Sequence, residues 1–168
     1  MSEDDVVREK RRTTPNGLIG VGVIVIDGTR ILLGRNHDDH WELPGGKVAT
    51  GESFEETAVR ELREETALVA SAACVEILSV FLDDSHGMPR LTAAALIRSY
   101  SGTPRVREHH LISEWAWHAH DRLPRPLFTP SAHALNEWKP GLLADLPPMH
   151  AYPQATRRFP SHTNGALG

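Results

Sequence analysis

Gly46-Lys-Val-Ala-Thr-Gly-Glu52-Ser-Phe-Glu-Glu-Thr-Ala-Val-Arg60-Glu61-Leu62-Arg-Glu64-Glu65-Thr-Ala-Leu68 is the stretch on which the reading of this chain turns. From Ser53 to Thr66 it predicts a helix. Ser53 at the N-cap with Glu56 three residues on forms a capping box, each side chain satisfying a backbone N–H that the first turn leaves unpaired. Phe54, Ala58 and Leu62 recur at i, i+4 and i+8, an apolar stripe that faces a core. Glu61, Glu64 and Glu65 stand at i, i+3 and i+4 and share one face. At about 100° per residue that face lies roughly a quarter-turn from the stripe. The helix can therefore bury one side and line a cleft with three carboxylates. On a plain surface each like-charged pair costs a few tenths of a kcal/mol. A hard divalent cation, which requires oxygen ligands and negative charge, turns that penalty into a binding site. The competing reading is a solvated glutamate-rich face steadied by Arg60 and Arg63. Two upstream features favour the cation: Gly45-Gly46 lets bare backbone approach a metal or phosphate, and Glu52 adds a carboxylate just before the cap.

Upstream, Leu18 to Ile26 is rich in β-branched residues and reads as a buried strand. Asp27-Gly28 signals a hairpin, with Arg30 to Leu33 as its returning strand. Trp41-Glu42-Leu43-Pro44 is a short strand stopped by proline. Downstream, residues 72–82 and 90–98 read as two strands around a polar loop, and Glu114 to His118 alternates as another. Pro130 to Trp138 is a second, shorter helix, with proline tolerated near its start. Strands and helices in this order indicate an α/β (α+β) sandwich: a mixed sheet with helices available for both faces. Residues 1–16 are expected to be a flexible arm, residues 17–140 one domain, and residues 141–168 an extended or disordered tail.

A formal net charge of −4 disfavours a general nucleic-acid coat, which would need a basic face. The charged N-terminus is neither a signal peptide nor a membrane anchor, and no later stretch is long enough to span a bilayer. Cys74 is the single cysteine and cannot form an internal disulfide, so a cytoplasmic setting is expected. Its apolar neighbours Ala73 and Val75 make it an expected core residue.

The stretch Gly46–Leu68 resembles the Nudix box, in which G, five residues, E and seven residues precede R-E-U-x-E-E-x-G-U with U apolar. Every fixed position matches except the last glycine, which is Ala67 here. That glycine would sit near the helix C-terminus, where a left-handed residue is favoured. Alanine there costs on the order of 1 kcal/mol if the left-handed geometry is kept. The resemblance runs from about Gly17 to Pro140 and is most specific from Trp41 to Leu68.

It implies a Nudix-type α/β/α sandwich and a pyrophosphate-cleaving hydrolase. Glu61, Glu64, Glu65 and the carbonyl of Gly45 would bind magnesium, or manganese in its place. Glu52 and Arg60 would shape the junction of loop and helix, and Arg35 matches a basic residue that often reaches substrate phosphates. The proton acceptor would be Glu64, Glu65 or Glu108, the last placed where several members carry an extra carboxylate. A small-molecule nucleotide would be the partner, with neither nucleic acid nor membrane, and the chain would be a monomer or homodimer.

Leu43-Pro44-Gly45-Gly46, Glu114 to His118 and Leu123 to Phe128 resemble the MutT-like branch. That branch converts nucleoside triphosphates to monophosphate and pyrophosphate, sometimes preferring oxidised guanine nucleotides. Phe128 could stack on the base and Asn136 bond its edge. The alternatives are hydrolysis of another nucleoside diphosphate derivative, such as a nucleotide sugar, and a non-catalytic nucleotide-binding regulator. Trp115 and Trp117 are expected to pack on the sheet, and the histidines to serve packing or the surface.

Overall fold

The computed structural model describes residues 17–84 and 87–154. The chain forms β1 (Leu18–Asp27), β2 (Arg30–Asn36), β3 (Trp41–Glu42), β4 (Gly45–Lys47), α1 (Phe54–Thr66), β5 (Val75–Asp83), β6 (Arg90–Ile97), β7 (Ile112–Ala119), α2 (Thr129–Trp138) and β8 (His150–Pro153). The sheet runs β3-β2-β1-β6-β5-β8, with β4 added on β1 and β7 on β2. β1 pairs in parallel with β6 from Leu18–Arg90 to Val25–Ile97, and its pairing with β2 is antiparallel, so the sheet is mixed.

The alternation of side chains along a strand divides the core into two layers. Val21, Val23 and Val25 of β1 and Ala93, Ala95 and Ile97 of β6 join Ala58 and Leu62 of α1. Ile24 of β1 and Ala94 and Leu96 of β6 face the other way, with Ala134 and Leu135 of α2. Both faces of the central strands are covered, which is why these strands read as continuous apolar runs. The result is the expected α/β/α sandwich.

The capping box at Ser53 is present, with both reciprocal bonds made. Ala67 does hold a left-handed backbone at φ 66°, and its N–H donates to the carbonyl of Arg63. Thr66 supports this ending, because its hydroxyl donates to the Leu62 carbonyl and accepts from the Leu68 N–H. Residues 72–74 form a 3-10 turn rather than the start of a strand, and Cys74 is exposed there, contrary to its expected burial. β4 and β8 were not expected as strands.

The stretch after 140 is extended in part but docked. Leu142, Leu143 and Met149 pack against the α2-side core, and β8 pairs antiparallel with β5. The expected arm at 1–16 and the remainder of the tail at 155–168 lie outside the described residues.

Candidate active site

The antiparallel pairing of β4 with β1 sets Gly45 opposite Gly22 and Gly46 opposite Val21. Neither position has room for a side chain. A Cβ on Gly45 would lie 2.1 Å from the Val21 carbonyl oxygen, and one on Gly46 would lie 2.3 Å from a Glu61 carboxylate oxygen. The glycine pair thus brings bare backbone onto the carboxylate face of α1. Trp115 steadies the far end of that helix: its indole N–H donates to the Glu65 carbonyl at 3.1 Å, and the ring lies over Gly34 where a Cβ would come within 2.6 Å.

Arg60 is the hub. Its Nε donates to Glu52 Oε1 at 2.6 Å and a terminal nitrogen donates to Oε2 at 2.9 Å, a bidentate pair. The Arg60 guanidinium is the main reason the Glu52 carboxyl titrates at about 2, with Thr57 and the Ala49 N–H also bonded to it. The same guanidinium reaches the Lys47 carbonyl at 3.1 Å, Glu61 at 2.8 Å and Glu64 at 3.2 Å. It ties the loop, the cap and the carboxylate face together, and these partners hold its proton more tightly than usual.

Glu65 is nearly enclosed, at 9% exposure, and accepts the Gly45 N–H at 3.0 Å. Burial pushes its carboxyl up to about 9; the Gly45 bond opposes this, while the charges of Glu61, Glu42 and Glu108 add to it. Burial likewise raises Glu61, opposed by Arg60 and reinforced by Glu64 and Glu108. The charge of Glu108, from the loop before β7, is therefore felt by two of the three helix carboxylates. Glu64 is the open one, with half of its side chain exposed.

Among the described residues no three acidic, histidine or cysteine side chains are already drawn around one point. Glu61 and Glu64 turn toward Arg60, and Glu65 toward Gly45. The donor set still fits a hard divalent cation: oxygen ligands on one helix face, in mutual repulsion, with one of them buried.

Beside this face lies a cavity of about 190 Å³ whose walls include Ile19, Glu42, Gly46, Arg90, Phe128 and Ser131. Phe128 stands at the start of α2 with the Arg90 guanidinium 5.6 Å from its ring centre. Asn136 does not line this cavity; its side-chain oxygen accepts the Leu143 N–H at 3.3 Å and helps hold the segment after α2. Arg35 does not line it either and is paired with Asp39 at 2.9 Å and Glu114 at 3.7 Å. The half-buried Glu42, which accepts from Asn36 at 3.0 Å, and Arg90 were not singled out in the sequence. Glu42 had a signal, a carboxylate just before the glycine pair. Arg90 had none, since it reaches the cavity only through the parallel register of β6 on β1. Trp115 and Trp117 pack on the α1-side core, and His118 lies edge-on to Trp41.

Among the described residues no helix is long and apolar enough to cross a membrane. The NUDIX domain family model matches residues 18–140. A Bacillus subtilis protein named as a candidate 8-oxo-dGTP diphosphatase is 32% identical over 127 residues, covering 73% of this chain and 80% of that protein. A similarly named Mycobacterium tuberculosis protein is 36% identical over 106 residues, covering 57% of this chain and 67% of that one. The crystal structure of a MutT NUDIX hydrolase from Burkholderia pseudomallei superposes with a TM-score of 0.67 at 30% identity, over 73% of this chain and 98% of that one. With the box, the sandwich and these relatives in agreement, the chain belongs to the NUDIX domain family and is a pyrophosphohydrolase.

Proposed function

We propose that this enzyme hydrolyses a nucleoside triphosphate to the monophosphate and pyrophosphate, with magnesium held by Glu61, Glu64, Glu65 and the carbonyl of Gly45. The observation that carries this reading is the crowding of Glu61, Glu64, Glu65 and Glu108 beside a cavity with an aromatic wall. Burial and the neighbouring carboxylates push Glu65 up to about 9, so a cation that takes this carboxylate as a ligand has to displace its proton. When bound, the metal neutralises phosphate charge and lowers the pKa of an attacking water.

The residues divide the remaining work. Glu52 and Arg60 hold the loop and helix in place, and the absence of side chains at Gly45-Gly46 lets the backbone lie against the Glu61 carboxylate. Glu61, Glu64 and Glu65 are each engaged by Arg60 or Gly45, whereas the Glu108 carboxylate has no hydrogen-bond partner among the described residues. Glu108 is accordingly the group we assign to take the proton from water. Phe128 offers a stacking face for the base, with Arg90 and Glu42 as polar contacts at its edge. Relatives named for 8-oxo-dGTP favour an oxidised guanine nucleotide among the triphosphates. Arg35, paired with Asp39, and Asn136, bonded to Leu143, lie outside the cavity lining, and this reading gives them no contact to the base.

Chromatography of products from a panel with Mg²⁺, covering the standard triphosphates, 8-oxo-dGTP, ADP-ribose and a UDP-sugar, tests the assignment. Monophosphate and pyrophosphate from a triphosphate are expected, with 8-oxo-dGTP turned over most efficiently. Cleavage confined to the sugar-linked diphosphates would overturn the triphosphate assignment.

A further inference from the structure

A second cleft, of about 520 Å³, opens on the other side of the carboxylates and is lined by Val59, Arg60, Arg63, Glu64, Val69 and Arg107, together with Ala70. Three guanidinium groups face one carboxylate there. Arg60 is already engaged with Glu52 and Glu61, and Glu64 is partly offset by Arg60 at 3.2 Å. Arg63 and Arg107 differ: neither side chain has an ion-pair or hydrogen-bond partner among the described residues. Two free cations therefore share a cleft with no described counter-ion of their own.

The position of this cleft gives those charges a use. Gly46 lines the aromatic cavity, a Cβ on it would lie 2.3 Å from the Glu61 carboxylate, and Glu61 accepts from Arg60, which lines the second cleft. Glu61 thus touches one wall residue of each space, Gly46 of the first and Arg60 of the second. Loop 101–111 serves both sides, since Glu108 acts on Glu61 and Glu65 while its neighbour Arg107 lines the cleft. The site is polarised: an aromatic wall at one end, the carboxylate face in the middle, and unpaired guanidinium groups at the other. A molecule that matches this order has a flat apolar group at one end and its densest negative charge at the other. We infer that Arg63 and Arg107 form the seat for the terminal phosphates of the triphosphate substrate, the part that leaves as pyrophosphate. Guanidinium groups suit this task because their planar fork binds phosphate oxygens in pairs.

This inference rests on the triphosphate reading, but its test does not depend on turnover alone. Calorimetric titration with inorganic pyrophosphate in the presence of Mg²⁺ is compared for wild type, Arg63→Gln, Arg107→Gln, the double variant, and Arg122→Gln as a surface control. A hydrogen bond to a charged group contributes enough that each single variant is expected to weaken pyrophosphate binding about tenfold, and the double variant further. The control is expected to match wild type, and Arg63→Lys with Arg107→Lys to recover part of the loss because charge is retained. In steady state the double variant raises KM for the triphosphate while kcat changes little, the pattern of lost binding that is equal in ground and transition states. Pyrophosphate binding by the double variant within about twofold of wild type would overturn the seat, whatever the enzyme hydrolyses. Wild type that binds pyrophosphate through both arginines yet cleaves no triphosphate would instead remove the substrate assignment and leave an anion site.

Discussion

Helix α1 starts with a reciprocal cap, and several polar side chains along it are bonded: Glu52 and Arg60 pair twice, Thr57 joins them, and Thr66 closes the last turn. Helix α2, on the opposite face of the same sheet, starts at Phe128 with no side-chain cap and buries His133 at 1% exposure, with neither ring nitrogen bonded within the described residues. The two helices therefore carry their unfavourable terms in different places. In α1 the unfavourable term is like charge, collected on one face and held beside a glycine pair. In α2 it is a desolvated imidazole in a packing position, beside Phe81. The first arrangement is what a cation-binding site requires. The second packs against Phe81 without a hydrogen bond among the described residues, and the part of α2 that matters to the site is its start, where Phe128, Pro130 and Ser131 wall the cavity.

The comparison is broken most severely at Glu64. Glu64→Gln removes a charge from the exposed end of the carboxylate face and is expected to lower kcat at least ~100-fold without moving the melting temperature downward. Near-normal turnover by this variant would remove Glu64 from the ligand set. Next comes Gly46→Ala, whose Cβ would lie 2.3 Å from the Glu61 carboxylate. Displacing that carboxylate by a fraction of an ångström is expected to reduce kcat/KM by about tenfold or more, a misplacement effect measurable in the same assay.

The α2 side should respond in stability rather than activity. His133→Leu replaces an unsatisfied buried polar group and is expected to raise stability by about 1–3 kcal/mol in denaturant unfolding. The gain should grow in acid. Burial depresses the imidazole below its ordinary 6.5, so the unfolded chain takes up a proton that the folded chain resists as pH falls through that value. Wild type thus loses stability on acidification that the variant keeps, and an equal gain at pH about 8 and about 5.5 would contradict a neutral buried imidazole. The smallest effect is at the end of α1. Ala67→Gly relieves a left-handed alanine at φ 66° and is expected to raise the melting temperature by about 2–4 °C, with kcat unchanged.

How much was legible from the residues follows the range of the signals. α1, its cap and its carboxylates were legible because capping and periodicity act within a few residues. The ending at Ala67 stayed open, because alanine carries no local signal for the left-handed backbone it adopts there. β4 and β8 were not, since a three-residue Gly-Gly-Lys strand and an exposed edge strand exist only through their partners β1 and β5. Cys74 was misread because apolar neighbours suggested a core strand where the chain makes an exposed turn. Within the site, Glu42 and Arg90 meet Phe128 only once β6 lies parallel to β1, and Arg63 meets Arg107 only once the loop before β7 reaches α1. No local pattern encodes such meetings.

In the function proposed above, the carboxylate face of α1 works through a divalent cation on the phosphate chain of a nucleotide. Pyrophosphate release from 8-oxo-dGTP and the standard triphosphates, followed during titration of Mg²⁺ and then of a chelator, tests it most directly. Monophosphate and pyrophosphate are expected in equal amounts, with release that rises with Mg²⁺ and is lost on chelation. Turnover that survives chelation, or the absence of pyrophosphate from every triphosphate at saturating Mg²⁺, would contradict it.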